Sequence, residues 1–121
     1  MGSQSYRDLI VWQKSIALCV VVYKICEAFP KSEMYSLTDQ MKRAAVSISC
    51  NIAEGQGRQH VKEFLHFISI AKGSLAELDT QRIIAEKLNF INSETSVSLD
   101  SHITEIRRML HALNAKLRTE N

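Results

Sequence analysis

The feature that most constrains this chain is an uncharged run inside a single helix-forming segment. Residues 44–53 (AAVSISCNIA) carry no charged side chain, and they lie within the longer segment 37–58. One side of this segment has the helical spacing of a core-facing stripe, formed by Leu37, Met41, Ala44, Ile48 and Ile52. The opposite side is also small and apolar, at Val46, Cys50 and Ala53. A helix that is apolar nearly all round is buried nearly all round, so we expect this second side to contact another subunit.

The ends of this segment have helix signals. Ser36, followed three residues later by Asp39, has the spacing of a capping box, and Gly55 and Gly57 end the pattern. The sequence therefore predicts a helix over about residues 36–55.

Three further segments have helical periodicity. The first, about residues 6–28, has a seam of Leu9, Trp12, Ile16, Cys19, Tyr23 and Cys26, and Pro30 ends it. The third helix, about residues 60–88, has a seam of Phe64, Ile68, Ala71, Leu75 and Leu78. The fourth, about residues 97–117, follows a loop at residues 89–96 and has a seam of Leu99, Ile103, Ile106, Leu110, Leu113 and Leu117.

These four helices predict the fold. A chain of 121 residues is the length of one domain, here residues 1–121. Long amphipathic helices with short connections form an all-α, up-down-up-down antiparallel four-helix bundle. An extended coiled coil is disfavoured, because Pro30, the two glycines and the loop near Asn92 divide the heptads into hairpin lengths.

Composition bears on location and cofactors. The three cysteines lack metal-ligand spacing and read as buried thiols of a reducing compartment. Residues 1–6 are polar, unlike a signal peptide, and the apolar run 16–23 is shorter than a membrane span. We therefore expect a cytoplasmic protein with no membrane partner.

Polar residues beside the apolar stripes of the second and third helices predict a structural hydrogen-bond network. Its members are Gln40, Ser47, Asn51, Glu54, Ser74, Glu77 and Gln81, with Arg43 at its edge. We expect neither a metal nor another cofactor, since bundle metal sites use Glu-x-x-His pairs and neither Glu54 nor Glu77 has a histidine three residues later. No nucleophile motif occurs, so no catalytic residue is assigned. An enzyme that uses Glu54, Glu77 and Asn51 is the remote alternative.

Basic residues form two groups. The predicted nucleic-acid-binding side chains are Lys42, Arg43, Arg58 and Lys62 around the ends of the second and third helices, and Arg107, Arg108, Lys116 and Arg118 on the fourth. The net charge of +2 is small, but a symmetric ring would repeat each group around its axis. A weaker option is phosphate binding by the turn at residues 55–58, which precedes a helix N-terminus.

Several short motifs stand out within the span 6–90: residues 9–12 (LIVW), 37–40 (LTDQ), 43–45 (RAA), 51–55 (NIAEG) and 71–78 (AKGSLAEL). Together they resemble a known family, the proteins encoded in intervening sequences of bacterial large-subunit ribosomal RNA genes. The fourth helix matches by pattern only. The family is similar in fold to the accessory protein of diversity-generating retroelements, a basic pentameric barrel that partners a reverse transcriptase and binds nucleic acid.

The resemblance implies a homo-oligomer, with a pentamer as the expected form. By association, it also implies RNA or DNA, or a nucleic-acid-processing protein, as a partner. The functional hypothesis is a non-enzymatic bundle that binds structured nucleic acid weakly and electrostatically. The alternative is a structural scaffold that docks a protein partner without nucleic acid.

Overall fold

Four helices account for most of residues 5–120, the part of the chain that this computed structural model describes. They are α1 (Ile10–Cys26), α2 (Leu37–Gln56), α3 (Val61–Lys87) and α4 (Ser93–Glu120). Short 3₁₀ turns at Tyr6–Asp8 and Lys31–Glu33 precede α1 and α2. Within residues 5–120 there is no β-strand. The predicted all-α four-helix bundle is confirmed.

The core lies along the bundle axis and is filled by aliphatic side chains from all four helices. Each helix packs on its neighbours in the chain, and α1 closes the bundle against α4. The predicted stripe of α2 is buried at all five positions. In α3 and α4 the stripes are buried except at Phe64 and Leu113, which are half-buried where the two helices meet at one end. Periodicity therefore identified the inward faces of these three helices.

The predicted seam of α1 is correct only in part, since Cys26 is buried and Leu9, Trp12 and Cys19 are half-buried against the core. The buried positions are Val11, Ser15, Leu18, Val22 and Cys26, whereas Ile16 is 39% exposed and Tyr23 is 42% exposed. Two neighbouring stripes of α1 are apolar, and the stripe that packs against the rest of the bundle contains Ser15. Ser15 is accommodated because its hydroxyl donates to the carbonyl of Val11 at 2.7 Å, which satisfies the buried polar group.

The beginnings of α1 and α2 differ from the prediction in detail. The segment Tyr6–Asp8 is a separate 3₁₀ turn, capped where Arg7 N–H donates to Ser5 Oγ at 3.1 Å, so α1 begins only at Ile10. Ser36 does precede α2, but its side chain makes no capping bond. The capping-box prediction is therefore wrong, and Asp39 instead accepts a hydrogen bond from Arg43 Nε at 2.9 Å.

The connection between α3 and α4 is shorter than predicted. Asn89 adopts a left-handed conformation (φ 63°), and Phe90 N–H donates to the carbonyl of Ala85 at 2.9 Å, which ends α3. Asn92 Oδ1 then accepts from Thr95 N–H at 2.7 Å. This asparagine cap starts α4 at Ser93, four residues before the predicted Val97.

No helix within residues 5–120 combines the length and the apolar character that a membrane span requires. The prediction that residues 1–6 are not a signal peptide concerns mostly residues 1–4, which lie outside the described part of the chain.

Candidate functional site

Three residues of the predicted polar network meet between α2 and α3. The hydroxyls of Ser47 and Ser74 are 2.8 Å apart. Asn51 Nδ2 donates to the carbonyl oxygen of Ser47 at 2.8 Å and to its Oγ at 2.9 Å. These hydrogen bonds satisfy polar groups inside a mostly apolar interface and favour one register between the helices.

The other four members of the predicted network lie elsewhere. Glu54 accepts from Arg58 Nη2 at 2.7 Å. Gln40 and Glu77 are exposed. Gln81 is buried, and its Oε1 has no hydrogen-bond partner among the described residues. A single seven-residue network is therefore not what the structure shows.

Glu54 and Glu77 are too far apart to act as one site. In the antiparallel α2–α3 pair, Ser47 lies opposite Ser74, so Glu77 lies opposite position 44 of α2. Glu54 is ten residues further along α2, or about 15 Å by helix rise. Two carboxylates at that distance cannot share a proton or a metal ion.

The eight predicted basic residues do not form one surface on a protomer. Arg58 and Lys116 line the same cleft, with Lys62 beside it in the first turn of α3. Lys42 lies near the other end of α2, about 24 Å from Arg58 by helix rise. The predicted grouping of Lys42 and Arg43 with Arg58 and Lys62 is therefore wrong.

Some of these cations have carboxylate partners. The ion-paired ones are Arg43 with Asp39, Arg58 with Glu54, and Arg107 with Asp79 at 3.7 Å. Lys42 lies over the ring of Tyr23, 4.9 Å from its centroid, and Arg118 donates to Asn114. Within residues 5–120, no carboxylate forms a salt bridge with Lys42, Lys62, Arg108, Lys116 or Arg118.

A cleft of about 550 Å³ opens at the end of the bundle where the α2–α3 turn meets the last turns of α4. Its apolar lining comes from Leu9, Val61, Phe64, Leu113 and Leu117. Its charged and ionisable lining comes from Arg58, His60, Lys116 and Glu120. This size is in the range of small-ligand sites, and the mixture of an apolar wall with a few polar groups is typical of them.

The NIAEG run builds one side of this cleft. A Cβ added at Gly55 would lie 2.8 Å from Phe67 Cβ and 2.9 Å from Phe64 Cδ1, so only glycine allows α3 to begin so close to α2. Glu54 holds Arg58, whose guanidinium also lies 3.8 Å from Glu63 and over the ring of Phe67. Two carboxylates and one aromatic ring therefore hold the guanidinium of Arg58 at the rim of the cleft.

A second polar cluster, between α3 and α4, was missed by the sequence analysis. Arg82 donates to Asp79 Oδ1 at 2.8 Å and to Ser96 Oγ at 2.8 Å, and it lies 3.5 Å from Asp100. Its side chain is only 13% exposed. The i, i+3 spacing of Asp79 and Arg82 is visible in the sequence, but their partners on α4 depend on the register of the two helices.

The predicted subunit-contact residues lie on the outer side of α2. Val46 and Cys50 are exposed, and Ala53 is half-buried. On α1, Ile16, Val20 and Tyr23 are exposed as well. Burial, with a smaller contribution from nearby Cys50, raises the pKa of the half-buried Cys19 thiol on the same helix.

Comparisons with known proteins identify relatives by family and by fold. A family model described as 23S rRNA-intervening sequence protein matches residues 7–112. Curated proteins give no match. A crystal structure of a protein of unknown function from the S23 ribosomal protein family of Bacteroides thetaiotaomicron superposes with a TM-score of 0.78, at 23% identity, over 87% of this chain and 98% of that one. At this identity the superposition shows the shared fold.

Proposed function

Since the chain belongs to the 23S rRNA-intervening sequence protein family, we propose that it is a non-enzymatic, self-associating bundle that binds structured RNA or DNA weakly through exposed basic side chains. It would act in the cytoplasm, as a homo-oligomer such as a pentamer, alone or beside a nucleic-acid-processing protein. The family description names a ribosomal RNA, which makes nucleic acid the first ligand class to test.

The observation that carries the nucleic-acid part is the set of five cations without a carboxylate partner among the described residues. Exposed Lys62, Arg108, Lys116 and Arg118 and half-exposed Lys42 can approach phosphates without first breaking a salt bridge. Phosphate contacts release counterions, so even a modest number of them supplies affinity at low salt. Their separation on one protomer favours a surface formed by several subunits, in which each cation is repeated around a symmetry axis.

The exposed apolar side chains of α1 and α2 support self-association. Exposed apolar surface remains on the protomer at Ile16, Val20 and Tyr23 of one helix and at Val46 and Cys50 of the next. Burial of apolar area is the main driving force for association between subunits. In a closed ring every subunit uses the same surfaces, so the partner that covers this face would be a second copy of this chain.

The test is binding to a labelled structured RNA and a labelled single-stranded DNA, followed across a salt titration. We expect the affinity to fall steeply with salt, and Arg108→Glu to weaken it by about tenfold at low salt. Lys31→Glu is the matched control, because it makes the same change of charge at an exposed cation outside the predicted set. Arg107 is left unchanged, since its reversal would place a glutamate beside Asp79.

Equal weakening by Arg108→Glu and Lys31→Glu would show that only net charge matters. Absence of binding even at low salt would contradict the nucleic-acid proposal and favour the scaffold alternative. One observation supports that alternative: Tyr35 is 91% exposed beside exposed Met34 in the α1–α2 connection. Aromatic and methionine side chains are enriched where proteins dock.

A further inference from the structure

We propose that the cleft at the end of the bundle binds a nucleoside phosphate. The base would lie against Phe64 and Leu113, and the phosphate would lie between Lys116 and the first turn of α3. The choice of a nucleotide as the ligand rests on the proposed function. The inference adds a defined site to the separated basic side chains described above. The two sources of this ligand are a free nucleotide and the phosphorylated end of a strand.

The apolar half of the cleft suits a flat, partly apolar group. Phe64 and Leu113 are the two core-stripe positions of their helices that remain only half-buried, and both line the cleft. Elsewhere the α3 and α4 stripes are covered by the bundle, so apolar surface of these two stripes, including part of an aromatic side chain, is left available in the cleft. Nucleic-acid bases stack on such side chains irrespective of sequence.

The polar half of the cleft suits a phosphate. Lys116 has no carboxylate in salt-bridge range among the described residues. His60 precedes α3 without a side-chain capping bond, so the first N–H groups of the helix are not occupied by that side chain. Arg58, held by Glu54 and stacked over Phe67, adds a guanidinium in a fixed position.

Three carboxylates face these cations and shape the site. Glu54 and Glu63 neutralise much of the charge of Arg58, and Glu120 lines the cleft near Lys116. The net attraction for an anion therefore depends mainly on Lys116. This dependence makes a single, exposed side chain the decisive one, and its substitution does not disturb the core.

The experiment measures the binding of free nucleotides, oligonucleotides and inorganic phosphate to the full chain. AMP and UMP test the free nucleotide, a short single-stranded oligonucleotide with and without a 5′-phosphate tests the strand end, and inorganic phosphate tests the anion alone. Lys116→Gln is compared with Lys31→Gln, which removes one charge from an exposed site outside both the cleft and the predicted nucleic-acid-binding set. Backbone amide shifts of Gly57, Gln59 and Val61 report on the site itself.

We expect nucleotides to shift those amides and to bind more tightly than inorganic phosphate. Their binding should weaken about tenfold in Lys116→Gln but not in Lys31→Gln. Preference for the phosphorylated oligonucleotide over the unphosphorylated one would assign the site to a strand end, and binding of AMP or UMP alone would assign it to a free nucleotide.

Two results separate this inference from the proposed function. If oligonucleotides bind equally with and without the phosphate, and equally to both variants, the cleft site is wrong while nucleic-acid binding stands. If nucleotides bind in the cleft but no oligonucleotide binds at any salt concentration, the proposed function is wrong and the cleft site stands. Amide shifts confined to other regions would overturn the inference.

Discussion

The hydroxyl of Ser47 lies 2.8 Å from the hydroxyl of Ser74 across the α2–α3 interface, and Asn51 Nδ2 donates to the same Ser47 oxygen at 2.9 Å. Ser47 Oγ therefore makes one hydrogen bond across to α3 and a second one to the next turn of α2. Removal of the Ser47 hydroxyl takes away the partner of Ser74, whereas removal of the Ser74 hydroxyl leaves Ser47 Oγ bonded to Asn51 alone.

Ser74→Ala should lower the free energy of unfolding by about 1 kcal/mol, the typical net value of such a hydrogen bond. Ser47→Ala should cost a similar amount, and the double variant should cost less than the sum because the two hydroxyls act on each other. Urea unfolding monitored by circular dichroism measures all three, with exposed Ser98→Ala as the control. Strict additivity would show that the two hydroxyls are not coupled.

Gly55→Ala and Gly73→Ala should have opposite effects. At Gly55 the new methyl group would meet Phe67 and Phe64 at 2.8 and 2.9 Å, so overpacking should cost about 1–3 kcal/mol. At Gly73 nothing lies within 4 Å of an added Cβ, and alanine should stabilise the protomer by up to about 1 kcal/mol through helix propensity. Thermal unfolding at low protein concentration is the measurement. A stabilising Gly55→Ala would show that α3 has room to move.

Arg82→Ala should be much more damaging than Arg43→Ala. Arg82 is mostly buried and holds Asp79 and Ser96, so its loss leaves polar groups without a partner and should cost about 2–3 kcal/mol. Arg43 pairs with Asp39 at an exposed site, where an i, i+4 pair is worth about 0.5 kcal/mol or less. Equal losses in chemical unfolding would contradict the structural role given to the α3–α4 cluster.

Val46→Glu should reduce the oligomer to monomers or cause aggregation, because it places a charge in the proposed subunit contact, and Ala53→Glu should do the same. Val97→Glu is the control, since Val97 is an exposed valine on α4, outside the α1–α2 face. Light scattering gives the mass and circular dichroism confirms the fold. Val46→Glu with an unchanged mass would move the contact to another face.

The three thiols should react at different rates with iodoacetamide at about pH 8. Burial raises the pKa of Cys26, and nearby Lys42 offsets part of this; the pKa of Cys19 is also raised. Both should therefore contain little thiolate until the pH exceeds 9.0, whereas exposed Cys50 should be alkylated first. Peptide mass spectrometry measures the rates.

A dilution series extends this prediction. Cys50 should become more reactive as the protein is diluted, because dissociation would uncover it. Cys26 alkylated as fast as Cys50, at any concentration, would contradict the burial seen here. The raised thiol pKa values also predict how the free energy of unfolding depends on pH. Their contribution to stability is fully present below the ordinary thiol pKa, and it is lost as the pH rises from there through the raised pKa.

The sequence predicted the inward face of a helix wherever charge marked the opposite side. In α4, Glu105 and Arg108 lie outside the Ile103–Ile106–Leu110 stripe, so periodicity had one solution. In α1 the residues between Lys14 and Lys24 are uncharged, and two apolar stripes one residue apart satisfy the same spacing. Only packing against α2 and α4 selects Leu18 and Val22 over Ile16 and Tyr23.

The candidate site was less predictable because it depends on contacts between distant segments. The turn at residues 55–58 was recognised as an anion-binding option, yet nothing in the sequence places Lys116 beside Arg58. That placement follows from the antiparallel packing of α4 on α3, which brings the end of α4 to the beginning of α3. The same register brings Ser96 and Asp100 to Arg82.

The beginning of α1 and the end of α4 also meet at the cleft. Leu9, immediately before α1, and Glu120, the last residue of α4, line it from opposite sides. A short linker between these ends would therefore allow circular permutation, with new termini opened at exposed Ser32 in the α1–α2 connection. Affinity tags attached near Leu9 or Glu120 would lie beside the cleft, whereas tags at the new termini of the permutant would lie at the other end of the bundle.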